Sequence, residues 1–254
     1  MTDAAIIIPC VGVDDLLLRC VRECQGQAPD AEIILLLDES DGAEKLGDGP
    51  TIIVAGPVTI AAKRNRGASA SKAKYLAFID SDAYPDAGWL SNGIAALEGK
   101  PEVAIAGGPD LPWPQETGWT RLIGLASRSP LISAKSVYRK YRAKARNCPH
   151  LPSCNMIVRR TDYLRLEGMK EHLNTGEDLD YCRRVRAEGG RIIYQPNIAV
   201  FHRDRDFRPF ILQRIVYGAS VWRLAKNGLS LGDLYLFAPG LAVAFFASAP
   251  LALL

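Results

Sequence analysis

Two aspartates one residue apart, Asp80 and Asp82, close the apolar stretch that ends Phe78-Ile79-Asp80-Ser81-Asp82. Carboxylates at that spacing, just past a buried strand, can converge on one ligand. Hard oxygen donors suit Mg2+ or Mn2+, which prefer sites shared with phosphate, and a cation there would help a diphosphate depart. The same residue types also make an ordinary turn that caps a helix. A second acidic cluster, Thr175-Gly176-Glu177-Asp178-Leu179-Asp180, fits a helix N-terminus, where acids are electrostatically favoured. It equally offers Asp178 as a general base toward an acceptor hydroxyl.

Three further groups could join this chemistry. Asp38 follows the apolar run 33–37 and could accept hydrogen bonds from a base or ribose, although a turn uses aspartate in the same way. Lys63, Arg64 and Arg66 lie near a helix start, where they could meet phosphates or form a solvated basic face. His202 ends a short apolar run and could donate a ring nitrogen to the metal held by Asp82; His150 and His172 have no comparable context. The six cysteines form no C-x-x-C pair, so a zinc or redox motif is not expected.

The elements that must position these groups alternate. Apolar runs at 4–8, 33–37, 51–55, 75–79 and 103–106 read as strands, and helical spacing fills 16–24, 60–73 and 85–97. Alternation of this kind predicts an α/β fold, a mostly parallel central sheet with helices on both faces. In such sheets ligands bind beyond the carboxyl ends of the strands, where Asp38, Asp80 and Asp82 fall. After residue 107 the pattern changes. Trp113 and several prolines mark a loop, and residues 119–146 are basic with no acid. Strands are expected at 155–158, 191–194 and 199–202, and helices at 178–188 and 207–227.

With 23% charged residues and a net charge of +3, neither disorder nor nucleic-acid binding is indicated. The N-terminus has no basic region ahead of Ile6-Ile7-Ile8 and does not read as a signal peptide. Residues 234–254 carry no charge, enough to cross a bilayer as a helix; Pro239, Gly240 and Pro250 count against a regular span, though membrane helices tolerate both residue types, and a buried core helix or a re-entrant hairpin is the alternative. Basic residues from Arg203 to Lys226 precede this run, which would keep them on the cytoplasmic side.

As a set, these motifs resemble the inverting glycosyltransferases of family 2, over roughly residues 4 to 225. The resemblance rests on Ile6-Ile7-Ile8-Pro9, Leu37-Asp38-Glu39-Ser40, Lys63-Arg64-Asn65-Arg66-Gly67, Phe78 through Pro85, and Gly176 through Asp180. It implies a GT-A (nucleotide-diphospho-sugar transferase) fold over 1–230, with a donor half at about 1–107 and an acceptor and catalytic half at about 108–230. The candidate membrane segment 234–254 would follow. Pro9, Val11 and Asp38 would line the base site. Arg64 and Asn65 would close the donor site, Asp80 would reach the ribose or sugar, and Asp82 would hold Mn2+ or Mg2+ with His202. Asp178 would be the base, and Trp113, Asn155 and Glu177 would stand on the acceptor side.

The implied partners are a nucleotide-sugar donor, most simply a UDP-sugar, and a saccharide or lipid-linked acceptor at the cytoplasmic face of a membrane. Asp38-Glu39 departs from the usual Asp-Asp, and Gln213-Arg214-Ile215-Val216-Tyr217 departs from the Q-x-x-R-W of processive synthases, which implies single transfers. A catalytically inactive sugar-nucleotide-binding scaffold is the alternative. A sugar-1-phosphate nucleotidyltransferase fits less well, because Cys10 to Asp15 is acidic and poor in glycine.

Overall fold

The computed structural model describes residues 3–129 and 133–212. The expected membrane segment, the expected helix beyond residue 212 and the Gln213–Tyr217 stretch lie outside the described residues. Among the described residues no helix is long and apolar enough to cross a membrane.

The chain begins with β1 (Ala4–Pro9), buried along its whole length. A strand covered on both faces needs no polar alternation, which is why it reads as a continuous apolar run. Helix α1 (Asp15–Gln27) follows, its first turn capped by the Asp14 side chain accepting from the Leu17 amide at 2.9 Å. β2 (Glu32–Leu37), β3 (Thr51–Val54), α2 (Ile60–Ala70) and β4 (Tyr75–Ile79) complete the N-terminal part. Thr59 caps α2 by accepting from Ala62 N at 3.2 Å.

Next come β5 (Ala83–Pro85), α3 (Trp89–Leu97), β6 (Val103–Gly107), β7 (Asp110–Pro112), α4 (Gly118–Ala126), β8 (Arg146–Asn147) and β9 (Asn155–Arg159). Then follow α5 (Arg160–Arg165), α6 (Glu177–Ala187), β10 (Arg191–Tyr194) and β11 (Val200–His202), and the described chain closes with residues 207–212 in helical conformation.

The large sheet has the order β3-β2-β1-β4-β9-β6-β10-β8. Pairings β3–β2, β2–β1, β1–β4 and β6–β10 are parallel, while β9 runs antiparallel to both β4 and β6. Alternation sorts the core. Ile6, Ile8, Leu35, Leu37, Ala77 and Ile79 join one apolar cluster with Leu17 and Cys20 of α1 and Trp89 and Leu97 of α3. The intervening residues turn the other way. A side chain at Gly67 of α2 would collide with Ile7 and Leu36, and Phe78 meets Tyr163 of α5 at 5.1 Å between ring centroids. Helices therefore cover both faces, as the alternating pattern predicts.

Two features differ from expectation. The helix expected from residue 85 begins at Trp89, because Ala83–Pro85 is spent on a second sheet of order β5-β11-β7. There His202 pairs with Ala83 and Phe201 with Tyr84. This small sheet ties the segment after Asp82 to His202. The second difference is the reversed β9, whose apolar run carries no signature of direction.

By compactness the chain forms two units, Met1–Leu111 with Arg142–His202, and Pro112–Tyr141 with Arg203–Leu254. Within the second, the Trp119 and Phe207 rings lie 5.0 Å apart, and Asp204 N donates to Glu116 Oε1 at 2.6 Å.

The chain passes from β6 toward β7 through Gly107 and Gly108, where backbone from β9 and from residues 195–198 presses close. A Cβ on Gly108 would lie 2.2 Å from the carbonyl oxygens of both Gln195 and Ile198. Neither is the mobile end of a side chain, so Gly108→Ala is expected to destabilise by about 3 kcal/mol, read from the urea midpoint. An unchanged midpoint would show that the backbone relaxes freely there.

Candidate functional site

The strand order reverses about β1, whose neighbours are β2 and β4. Such a switch point opens a crevice at the carboxyl ends of the strands. Pro9 ends β1, Asp38 follows β2 and Asp80 follows β4. Val11 is 75% exposed, and its carbonyl accepts from the Asp38 amide at 3.0 Å, so these two residues are locked side by side.

Helix α2 supplies the cations. Lys63 is only 3% exposed; its ammonium donates to the Cys10 carbonyl at 2.5 Å and to the Asp38 carboxylate. Arg64 is 1% exposed and spans two acids, donating to Asp80 Oδ1 at 2.6 Å and to Glu177 Oε1 at 3.1 Å. Arg66 donates to the Ala55 carbonyl. A solvated basic face is therefore not what Lys63 and Arg64 form. They are buried cations, admissible because each is paired.

The pairing sets the charge states. Burial opposes ionisation of Asp80, but the Arg64 guanidinium, assisted by His202, overcomes it and holds the carboxyl at about 2. Burial likewise works against the charge on Arg64, yet Asp80, Glu177 and Asp178 raise its pKa above the ordinary value. Glu177 moves up, first through burial and then through the adjacent Asp178, with Arg64 pulling against both.

On the other side of Asp80 stands His202. Its Nε2 lies 3.3 Å from Asp82 Oδ1 and 3.7 Å from Asp80 Oδ2. With Asp80 Oδ1 engaged by Arg64, the other carboxylate oxygen faces the imidazole. Two carboxylate oxygens and a ring nitrogen are donors that fit a divalent cation.

Asp178 lies in the first turn of α6, behind Gly176, whose φ of 81° is in the left-handed region that favours glycine. Asp178 Oδ1 accepts from Leu179 N at 2.7 Å, and Oδ2 accepts from Ser153 N at 3.4 Å. One helix start thus carries Glu177 toward Arg64 and Asp178 toward the residues that lead into β9.

Asn65, on the same helix as Lys63 and Arg64, is bonded within the protein. Its amide donates to the Met169 carbonyl at 2.8 Å and to Glu171 Oε1 at 3.0 Å, and its oxygen accepts from the Tyr163 hydroxyl at 2.7 Å and from Met169 N at 3.0 Å. These bonds clasp α2 to the segment after α5.

Asn155 corrects an expectation. It is fully buried, accepting from Trp89 Nε1 at 2.8 Å and donating to the carbonyls of Pro109 and Ile198 at 3.1 and 2.8 Å. With no exposed surface it presents nothing to an acceptor, and it holds α3 and the β6–β7 turn against β9 instead. Trp113 belongs to the second unit.

Sequence reasoning missed Cys154. Its thiol is buried immediately before β9, close to Asp80 and His202. No spacing rule could have found it, because the three residues come from three separate elements. The pairing of Lys63 with Asp38 had a signal in retrospect: the charges fall within a stretch whose neighbours Ala61, Ala62, Gly67 and Ala68 are all small or apolar, and all are buried.

Removing Arg64 takes the guanidinium away from two carboxylates and leaves Glu177 without its ion-pair partner. Arg64→Met is expected to cost about 3 kcal/mol, the lower end for a buried pair because Asp80 is 30% exposed. The Arg64→Met, Glu177→Met double variant is expected to lose less than the sum of the singles. Strict additivity in urea unfolding would show that the two groups do not act together.

A model described as glycosyl transferase family 2 matches residues 5–167. The pre-mycofactocin glycosyltransferase of Mycobacterium tuberculosis is 27% identical over 175 residues, covering 65% of this chain and 34% of its own. Glycosyltransferase AglE of Haloferax volcanii is 23% identical over 192 residues, covering 74% of this chain and 59% of its own. The chain thus spans about a third of the one relative and three-fifths of the other.

Among solved structures, a mannosyltransferase from Pyrobaculum calidifontis in complex with GDP-Man and Mn2+ superimposes with a TM-score of 0.66 at 17% identity, over 98% of this chain and 75% of that one. GalNAc-T7 with UDP, GalNAc and Mn2+ gives 0.60 at 17% identity, over 78% of this chain and 43% of that one.

Proposed function

The chain belongs to glycosyl transferase family 2 and has a GT-A-type fold, and on that premise we propose that it is an inverting transferase moving a sugar from a nucleoside diphosphate, a UDP-sugar foremost, to an acceptor hydroxyl. The observation that carries this reading is the convergence of Asp80, Asp82 and His202 beyond the carboxyl end of β4.

In this proposal Pro9, Val11 and Asp38 border the base, and the ionised Asp80 reaches the ribose or sugar. Asp82 and His202 hold Mn2+ or Mg2+, which when bound supplies positive charge against the departing diphosphate. Lys63 and Arg64 do not touch phosphate directly; they fix Asp38 and Asp80 in place. Asn65 is a positioning residue that sets α2 against the segment before α6.

Asp178 takes the proton of the acceptor hydroxyl as that oxygen attacks the anomeric carbon, and Glu177 beside it anchors the helix to Arg64. A single displacement inverts the anomeric centre. The donor half is residues 1–107 and the acceptor half 108–230, with Trp113 on the acceptor side. The basic stretch 119–146 and the uncharged 234–254 favour a lipid-linked saccharide or glycolipid as acceptor, met at the cytoplasmic face of a membrane.

Calorimetric titration with UDP, GDP and dTDP, with and without Mn2+, is expected to show one nucleotide bound tightly only when metal and Asp82 are both present. Asp82→Ala should abolish that dependence. No binding of any nucleotide in either condition would overturn the donor site.

Asp178→Asn keeps the hydrogen bond from Leu179 and removes the base. Transfer should fall about a thousandfold while nucleotide affinity stays within about twofold. Normal turnover in that variant would remove Asp178 from the role.

A further inference from the structure

The cation site has a donor that a carboxylate–imidazole centre for Mn2+ or Mg2+ does not need. Cys154 stands immediately before β9, and its Sγ, one carboxylate oxygen of Asp80 and one ring nitrogen of His202 all lie within 4.8 Å of one another. Three independent constraints bring them there. Asp80 is pinned at the end of β4 by Arg64. His202 is carried in by its antiparallel pairing with Ala83. Cys154 is fixed because the next residue, Asn155, is buried with its amide bonded to three separate segments.

Metal–ligand bonds of about 2.0–2.3 Å place two donors on one ion up to roughly 4.5 Å apart, so small side-chain rotations suffice to bring all three onto a common centre. The chemistry of the set then matters. Oxygen donors alone favour Mg2+ and Mn2+, whereas a thiolate and an imidazole together favour Zn2+ and metals like it.

We propose that Cys154 is a metal ligand, forming with Asp80 and His202 a mixed sulfur–nitrogen–oxygen site for a thiophilic divalent cation of the Zn2+ class. This inference rests on the reading of the same place as the donor-metal site, and it adds that the centre discriminates among metals through one sulfur. No redox step is involved. The thiol proton is released to solvent as the metal–sulfur bond forms. Asp82, with Oδ1 at 3.3 Å from the imidazole, is the adjacent oxygen donor on which an Mn2+-loaded state would rely. Zn2+ and Mn2+ would therefore compete for His202 while differing in their use of Cys154.

The test uses the full chain and three metals. Co2+ titration is followed by the ultraviolet thiolate-to-cobalt charge-transfer band, and Mn2+ uptake by loss of the free-ion electron paramagnetic resonance signal. Wild type should develop the cobalt band. Cys154→Ser should lose it and bind Co2+ at least about tenfold more weakly, with Mn2+ uptake within about twofold of wild type. Cys148→Ser, at another buried cysteine, should keep the band.

Zinc X-ray absorption on zinc-loaded wild type provides a reading that needs no variant, and a sulfur scatterer is expected in the first coordination sphere. A zinc shell of oxygen and nitrogen alone, or a cobalt band that survives in Cys154→Ser, overturns the inference. If Mn2+ binds and no thiolate band forms, this inference fails and the donor-metal reading stands. If Mn2+ also fails to bind, both fail.

Discussion

A guanidinium with almost no access to water holds this site together. Arg64 joins the carboxylate at the end of β4 to the one that opens α6, and each partner depends on it for a tolerable electrostatic environment. Without Asp80 and Glu177 the cation would be buried alone, which proteins rarely permit. The neighbouring Lys63 does the same for Asp38 and for the carbonyl at the end of β1. Two successive residues of one helix thus discipline the carboxyl ends of three strands. The Asp38 and Asp80 carboxylates that face the crevice are therefore oriented by the protein itself before any ligand arrives.

The N-terminal half was legible in the sequence because each of its elements has an unambiguous pattern. Runs such as Ile6-Ile7-Ile8 and Ile33 to Leu37 are long enough and uniform enough to declare strands buried on both faces. The Asp80-Ser81-Asp82 turn falls where the strand ends. What the pattern could not convey was partnership. Lys63 and Arg64 look like surface charges because burial is a property of the assembled sheet and not of the local string. The resemblance put Asn155 on the acceptor side, and nothing in the local string disclosed the three buried partners that its amide serves. The direction of β9 was also invisible, since an apolar run reads the same whichever way it pairs. The short strands β5 and β7 fall below the length at which alternation means anything, whereas β11 was visible as a short apolar run but its partners were not.

That small sheet matters more than its size suggests. It converts a histidine far along the chain into a neighbour of the Asp80-Ser81-Asp82 turn, using ladder bonds to residues directly after the turn. The distance from His202 to Asp82 is therefore governed by strand register. A slip of one residue would swing His202 to the opposite face and dissolve the cluster. Likewise, Asn65 fastens α2 to the segment between α5 and α6, so the helix that provides the cations and the helix that provides Glu177 and Asp178 are held in step.

The reversed strand β9 has a bearing on how the protein is made. Ala77 of β4 pairs with Ile157, and Ile105 of β6 pairs with Val158, so the middle of the sheet is completed by a segment that leaves the ribosome after both of its neighbours. Until then β4 and β6 each display an unpaired edge, the kind of surface that recruits foreign strands. Arg64 has Asp80 available early but waits for Glu177 until still later. The nascent chain therefore passes through an interval in which its most apolar strands are already translated while its central seam is open. Chaperone demand during synthesis should be concentrated in that interval, between the emergence of β6 and that of α6.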